Sequence, residues 1–374
     1  MMKKLLLTTA ACGLALSASA AHAEVDLDIG GYFKGYGAYV DQDENALGET
    51  NEFDMIRNTE IHFTGESTLD NGLTVGFHLE TTADGGDSFT VDESYAYFSG
   101  GWGRLNLGAE DGAGYLLQVA APSADENIDG IRQFVSPVNY TLLAAGIAAN
   151  PTVTATGANG LGLDYDMDPT QKSDKITYLT PIMGGFQAGA SFTPDSDGYA
   201  NEAGIGLDDV EDTAGRAYEA SVRYEGQFNN VGMILGAGYA FVENEQDASP
   251  VVNTDDRHAW NVGADFDIGP FGIGAAYTQD DVALVTGAGI DEEETIVVGV
   301  DYTTGPFKIG ASYLDQENTF GVDGLDSERY SGGVTYTYGP GMTFRGSVGY
   351  VEHDPAAAAD VDATYVTLGT QINF

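Results

Sequence analysis

The feature that most constrains this chain is a repeated unit of two alternating segments joined by a tight turn. Three of its segments nearly match one another: GGFQAGASFTPD from Gly184, GPFGIGAAYTQD from Gly269 and GPFKIGASYLDQ from Gly305. Each starts with a Gly-Gly or Gly-Pro turn, continues with an apolar residue at every second position and ends in a polar stretch. Such alternation predicts a β-strand with one apolar face. The unit is therefore strand, tight turn, strand and long acidic loop.

The unit recurs with turns near positions 184, 229, 269, 305 and 339, and such a period indicates a repeated supersecondary structure. Short turns at one end and long loops at the other are typical of transmembrane β-barrels. We therefore predict an all-β, antiparallel barrel of sixteen strands. Their predicted cores are 30–40, 56–68, 73–82, 89–99, 104–110, 173–180, 186–194, 216–228, 231–243, 257–268, 271–282, 293–304, 307–318, 328–338, 342–353 and 362–374.

The end of the chain supports closure of this barrel. The segment DATYVTLGTQINF alternates up to Phe374, and an even strand count brings it to the same end as IGGYFKGYGAYV near the start. Pairing of the first and last strands removes the free edges that lipid cannot satisfy. A soluble β-sandwich or a β-solenoid also alternates, but a sandwich of this length would divide into domains, and we find no linker.

Aromatic residues are concentrated beside the tight turns. In a barrel these rings would lie at one membrane depth and form a girdle at the headgroup level. The residues assigned to this girdle and to assembly are Phe271, Phe307, Phe344 and Phe374.

The composition is strongly acidic, with a formal net charge of −44 from 58 acidic and 14 basic residues. Such a chain repels nucleic acids and attracts cations. The single cysteine, Cys12, lies in residues 1–23, which have the basic start, apolar middle and Ala21-His22-Ala23 site of a secretory signal peptide. A membrane anchor and lipid attachment at Cys12 are the alternatives. Residues 24–374 are then expected to form one barrel domain.

The second face of the predicted strands is polar and is expected to line a water-filled lumen, where unpaired charges carry no burial cost. The residues assigned to this face are Thr74, His78, Glu80, Glu219, Ser221, Arg223, Glu225, Asn261, Asp265, Asp267, Lys308, Ser312, Thr343, Arg345 and Ser347.

The hairpin pattern is interrupted only between about 109 and 172. A connection of this length is usually functional, and in a barrel of sixteen strands it could fold into the lumen and narrow it. The alternative is a flap outside the barrel.

Three segments resemble the general trimeric porins of Gram-negative outer membranes: Thr59–Thr81, Glu93–Gly112 and the terminal QINF. The resemblance implies a homotrimer whose third loop folds inward as a constriction. It also implies contact with outer-membrane lipid and lipopolysaccharide, recognition of the terminal strand by barrel-assembly machinery, and passage of small hydrophilic solutes and cations. The acids that it marks as constriction candidates are Glu110, Asp111, Asp125, Glu126 and Asp129.

The chain also departs from that family. Where a basic residue is expected before IHFTGE, this sequence has Glu60, and the nearby Arg57 has the parity of the apolar face. With Glu80, Glu60 adds acid to the lumen wall. The basic residues assigned to the lumen are Arg104, Arg132, Arg223, Lys308 and Arg345.

The leading functional prediction is passive diffusion of small hydrophilic solutes and ions with a preference for cations. A substrate-specific channel and a structural envelope barrel are the alternatives. We predict no enzyme, because no Ser-His-acid constellation can be assembled. No cofactor is required, although the acidic runs near 84–87, 164–169 and 291–294 could hold Ca²⁺, which prefers oxygen ligands.

Overall fold

A computed structural model describes residues 25–43, 50–84, 89–140, 163–196, 213–245, 256–281, 292–319, 323–356 and 359–374. The predicted signal peptide lies outside the described residues. In the described part of the chain, sixteen antiparallel strands close into one barrel, which confirms the predicted fold class. The strands are β1 (Asp26–Gln42), β2 (Phe53–Thr68), β3 (Thr74–Thr82), β4 (Thr90–Gly100), β5 (Gly103–Ala109), β6 (Asp174–Leu179), β7 (Phe186–Thr193), β8 (Thr213–Phe228), β9 (Val231–Glu245), β10 (Arg257–Ile268), β11 (Phe271–Asp280), β12 (Glu293–Thr304), β13 (Phe307–Glu317), β14 (Leu325–Gly339), β15 (Met342–Pro355) and β16 (Val361–Asn373).

The first and last strands close the barrel as the alternation predicts. β1 pairs with β16 from Tyr32 opposite Asn373 to Gln42 opposite Ala363. The ladder continues to the last residue, because the Gly31 N–H donates to the Phe374 carbonyl at 3.0 Å and the Phe374 N–H donates to the Gly31 carbonyl at 3.1 Å. The chain end is thereby held in the wall.

The outer face carries the alternating apolar residues, and the aromatic residues assigned to the girdle are exposed there. Phe271 packs against Tyr302 of the neighbouring strand with ring centroids 5.0 Å apart, and Phe307 packs on Tyr336 at 4.9 Å. Both pairs lie beside tight turns, where a barrel places amphipathic rings at the membrane boundary. No described helix is long and apolar enough to cross a membrane.

The inner face differs from the expectation of a uniformly polar lumen. At the long-loop end of β12 to β16 and β1, many inward side chains are apolar and buried. They form one core with apolar residues of the connection between β5 and β6, so in this sector the barrel is packed like a soluble protein. The core includes Tyr36, Val297, Leu314, Val351 and Tyr365 from the wall and Ile128, Val135, Leu163 and Tyr165 from the connection.

The connection between β5 and β6, residues 110–173, is called loop L3 below; its described parts are 110–140 and 163–173. It carries two single-turn helices, α1 (Ala113–Leu116) and α2 (Glu126–Asp129). Its contacts are with inward side chains and backbone of the barrel wall. L3 therefore lies inside the barrel, and the described parts are not an external flap.

Candidate functional site

The first half of L3 runs along the inner wall from β8 to β1. Near its start, the Gly114 N–H donates to Glu219 of β8 at 2.8 Å. Further on, Thr335 of β14 donates to the Ala124 carbonyl at 2.7 Å. At its far end, Asn127 donates to Gln371 of β16 at 3.0 Å. One segment of about fifteen residues thus lines more than half of the wall.

The wall accommodates this segment because five inward positions along its path are glycine, which leaves room for the L3 backbone. A Cβ on Gly236 would lie 2.6 Å from Val119, and one on Gly310 would lie 2.8 Å from the Ala124 nitrogen. A Cβ on Gly299 would overlap the Pro122 carbonyl. The five glycines form two cross-strand pairs and one further position, and we call them the glycine track. They are Gly236, Gly263, Gly274, Gly299 and Gly310.

The second described part of L3 returns along the same wall towards β6. Leu163 accepts a hydrogen bond from Arg329 at 3.0 Å, Tyr165 accepts one from Thr278 at 2.9 Å, and Thr170 donates to Glu219 at 2.8 Å. The two passes are joined by Gln118, whose amide donates to the Tyr165 carbonyl at 2.7 Å. L3 is therefore a double layer attached to one side of the barrel.

The acids assigned to the constriction do not share one environment. Glu110, Asp111, Asp125 and Asp129 are at most 6% exposed, between L3 and the wall, whereas the Glu126 side chain is 63% exposed. Of the five constriction candidates, Glu126 therefore has an exposed carboxylate, and the other four are buried. Each buried acid has partners that hold L3 in place; Asp129, for example, accepts from Ser331 at 2.6 Å and from Ser312 at 3.0 Å.

The two ends of L3 are joined by charged groups. Arg132 lies 2.8 Å from both Asp166 and Asp168 and 3.5 Å from Asp111. Lys172 bridges Asp111, at 2.5 Å, and Glu93 of β4. Burial alone would raise the pKa of Asp111, but Lys172 and Arg132 hold it below its ordinary value.

The neighbouring Glu110 behaves differently. Its carboxylate accepts a hydrogen bond from Asn106 at 2.7 Å, and Lys175 contacts its backbone carbonyl. Burial raises the pKa of Glu110 to about 7, so this group is largely neutral in mildly acidic solution. Adjacent carboxyls at the start of L3 thus have opposite pKa shifts, and the physical cause is whether a cation lies close to the oxygens.

The segment Asp125–Asp129, which contains α2 and is called the tip of L3 below, is anchored by one buried carboxylate. Asp125 caps α2, accepts from Tyr36 of β1 at 3.1 Å and pairs with Arg345 of β15 at 2.9 Å. Arg345 also reaches Glu126 at 3.2 Å. The charges of Arg345 and Lys308 hold the pKa of Glu126 below its ordinary value, despite partial desolvation by the protein around it. Glu126 is therefore an exposed carboxylate beside two cations.

The wall across from the glycine track has a different chemistry. In the closed strand order, β3 lies eight positions from β11, so β2 and β3 face the part of the wall that L3 covers. Their inward side chains include Glu60, His62, His78 and Glu80, which the register places together. The side chains of Glu60 and Glu80 are 12% and 18% exposed. We call this surface the β2–β3 wall.

The other basic residues assigned to the lumen lie on the wall, and two of them, Arg104 and Arg223, are engaged by protein partners. Arg104 donates to Asn106 at 2.7 Å and covers the Tyr97 ring at 4.0 Å. Arg223 donates to the Gln118 carbonyl of L3 at 3.1 Å. Lys308 is half-buried on the inner face of β13. Arg57 lies at the end of the wall on the outer side, 3.1 Å from Asp84.

The acidic runs considered for Ca²⁺ have protein partners where the structure describes them. Asp164 accepts the Gln133 N–H at 2.5 Å, and Asp166 and Asp168 face Arg132. Positions 85–87 and 291 lie outside the described residues. Among the described residues, the one group of three ligands with metal-like spacing is His62, His78 and Glu80.

Several residues of the site were not assigned from the sequence. Sequence reasoning missed the glycine track, although the segments GPFGIG and GPFKIG place glycine at the same inward position and so carried the signal. It also missed Lys172, Lys175 and Arg329, which hold L3 but stand in no distinctive motif. Arg329 is fully buried and donates to the carbonyls of Ile128 and Leu163 at 3.3 and 3.0 Å.

The family model of Gram-negative porins matches residues 8–356. Two uncharacterized proteins, from Rickettsia felis and Rickettsia conorii, are each 24% identical, over 213 and 215 residues; the chain covers about half of their lengths, 48% and 49%. Among solved structures, the anion-selective porin from Comamonas acidovorans is similar with a TM-score of 0.61 at 18% identity, covering 94% of this chain and 100% of that one. The trimer form of OmpT, an outer membrane protein of Vibrio cholerae, has a TM-score of 0.57 at 14% identity, with 94% and 99% covered.

Proposed function

Because this chain belongs to the Gram-negative porin family, we propose that it forms a water-filled channel of the outer membrane that passes small hydrophilic solutes and ions and prefers cations. L3 occupies one side of the barrel and leaves the β2–β3 wall facing it. The channel would pass between these two surfaces. Their charges would therefore act on every ion that crosses.

The preference for cations rests on one observation, the carboxylates of the β2–β3 wall. Glu60 and Glu80 stand there, whereas Arg132, Lys172 and Arg345 are each within 4 Å of two or more carboxylates. A cation that is already paired contributes little net field, while partly exposed carboxylates raise the local concentration of cations. The Comamonas porin of the same fold is anion-selective, so the fold itself does not determine the sign.

The test is the reversal potential of purified protein in a planar bilayer across a KCl gradient. We expect the sign of the reversal potential to show that K⁺ is more permeant than Cl⁻. In the variant with Glu60→Gln and Glu80→Gln, the permeability ratio of K⁺ to Cl⁻ should fall by roughly two- to fivefold, since a unit charge contributes about 1 kcal/mol at 4 Å in water.

The matched control is the variant with Glu328→Gln and Glu352→Gln, which removes two charges from the outer face, where the two residues lie opposite each other on β14 and β15 and accept from Tyr330 at 2.7 Å and from Tyr350 at 3.1 Å. This variant should keep the wild-type ratio. Preference for Cl⁻ in the wild type, or an equal change in the control, would contradict the role of the β2–β3 wall.

We also propose that the protein assembles as a homotrimer. The support is the similarity of its fold to the trimer form of the Vibrio cholerae protein. Light scattering of the detergent-solubilised protein should give three chains per particle, and channel closure in a bilayer should proceed in three equal steps. A monodisperse monomer with single-step closure would contradict the trimer.

A further inference from the structure

The β2–β3 wall contains a group of side chains that pore electrostatics does not require. His62 of β2 lies directly across from Glu80 of β3, and Thr64 lies across from His78. The rings of His62 and His78 are 5.6 Å apart and nearly perpendicular. Because the four positions alternate on two paired strands, all four side chains are on the lumen side.

Both histidines point one nitrogen at the same carboxylate oxygen. His78 Nε2 lies 2.7 Å from Glu80 Oε1, and His62 Nδ1 lies 3.6 Å from that oxygen. The three ligand atoms are all within 4.8 Å of one another. In a tetrahedral zinc site, bonds of about 2.0–2.2 Å place ligand atoms roughly 3.4 Å apart. Small side-chain rotations would bring these three atoms to that spacing.

The other nitrogen of each histidine is held by a different residue. His62 Nε2 lies 3.3 Å from Glu60 Oε2, and His78 Nδ1 lies 2.9 Å from the Thr64 hydroxyl. Metal-binding histidines usually have such a partner, which fixes the ring orientation and the tautomer. Glu60 and Thr64, which are not among the three ligands, thus set the orientation of the two rings.

We propose that His62, His78 and Glu80 form a binding site for a divalent transition-metal ion on the pore wall, with Glu60 and Thr64 as positioning residues. Two imidazoles and one carboxylate suit Zn²⁺ and its neighbours, whereas Ca²⁺ and Mg²⁺ prefer oxygen ligands alone. The protein supplies three ligands, so a fourth position remains for water from the lumen.

A bound ion would change the wall on which the proposed cation preference rests. It would add two positive charges next to Glu60 and Glu80, so K⁺ preference and conductance should both fall. The site itself does not depend on conduction, because binding can be measured on the solubilised protein. Failure of the channel proposal and failure of the site are therefore separate results.

The first experiment is calorimetric titration of the purified, detergent-solubilised protein with ZnCl₂. We expect one site per chain in the wild type. Affinity should fall by more than about tenfold in His62→Gln and in His78→Gln, and by about tenfold or more in Glu60→Gln, the usual range for loss of a residue that orients a ligand. Binding of Co²⁺ should give a visible spectrum with the same dependence on these residues.

The matched control is His258→Gln, since His258 is a β10 histidine that contacts Tyr239 on the outer face at 2.7 Å. This variant should bind like the wild type. Each variant is first checked for the wild-type melting temperature, and Glu80→Gln replaces any that fails. No zinc binding in the wild type, or equal binding in the variants of His62 and His78, would overturn the site.

The second experiment is bilayer recording with ZnCl₂ added and then removed by a chelator. Zinc should lower the wild-type conductance and shift the reversal potential towards Cl⁻, and the chelator should restore both. An effect of the same size in His62→Gln with His78→Gln would assign the action of zinc to the acidic loops and overturn the site as its cause.

Discussion

Replacing Gly299 by valine is expected to narrow the channel and to weaken the docking of L3. A Cβ at this position overlaps the Pro122 carbonyl, and valine adds two further methyl groups in the same space. The strand itself cannot retreat, because β12 is hydrogen-bonded on both sides, to β11 and β13. L3 must therefore move towards the lumen.

The expected loss of stability follows from overpacking, which costs about 1–3 kcal/mol when a well-packed contact receives extra methyl groups. We expect a lower single-channel conductance together with a lower melting temperature. Gly274→Val should act in the same direction, since Gly274 is paired with Gly299 and a Cβ there would lie 2.8 Å from Pro122.

The control for this substitution is Gly332→Val on β14. Gly332 faces outward, and the nearest atoms to its Cβ position are 3.5 and 3.9 Å away, so valine fits without displacing backbone. Conductance should stay at the wild-type value. If Gly299→Val also conducts and melts like the wild type, the glycine track does not position L3.

Prediction from sequence succeeded where one local rule determines the structure. Alternation determines which side chains of a strand share a face, and tight turns determine which strands pair. The sixteen strands and the β1–β16 closure therefore agree with the alternation up to Phe374. The two faces were separated by parity alone.

Parity does not say what covers a face, so it does not predict the apolar core inside the barrel. Val297 and Leu314 point inward at the long-loop end, where β12 has apolar residues on both faces. Nothing local to β12 shows that Ile128 and Leu163 of L3 lie over them. The same limit hid the glycine track, since a glycine can occur in a strand for many reasons and only the L3 backbone packed against these positions identifies this one.

The charged residues of the site show a second limit. Acidic residues in a loop are usually solvated, and the resemblance marked the acids of L3 as constriction candidates without indicating that most of them are buried against the wall. Burial of Asp125 becomes acceptable only because Arg345, 220 positions later in the chain, donates to it. Sequence spacing carries no information about such a pair.

The second large effect is expected from Arg345→Met, which should release the tip of L3. The pair of Arg345 and Asp125 is buried, with side chains 6% and 1% exposed. Removing the cation leaves a buried carboxylate without its counter-charge, which typically costs about 3–5 kcal/mol. We expect larger, noisier single-channel currents and faster proteolysis within residues 110–140.

Two further variants separate the ion pair from general damage. Adding Asp125→Asn should restore part of the docking, because the neutral amide oxygen can still accept from Tyr36 while no charge stays buried. Arg216→Met removes a surface pair with Glu243 at 3.8 Å, whose side chains are 62% and 48% exposed, and should change stability by only about 0–1 kcal/mol. If Arg345→Met is no more damaging than Arg216→Met, the buried pair does not hold the tip. If Asp125→Asn gives no recovery, the loss lies in packing of the long side chain and not in the unpaired charge.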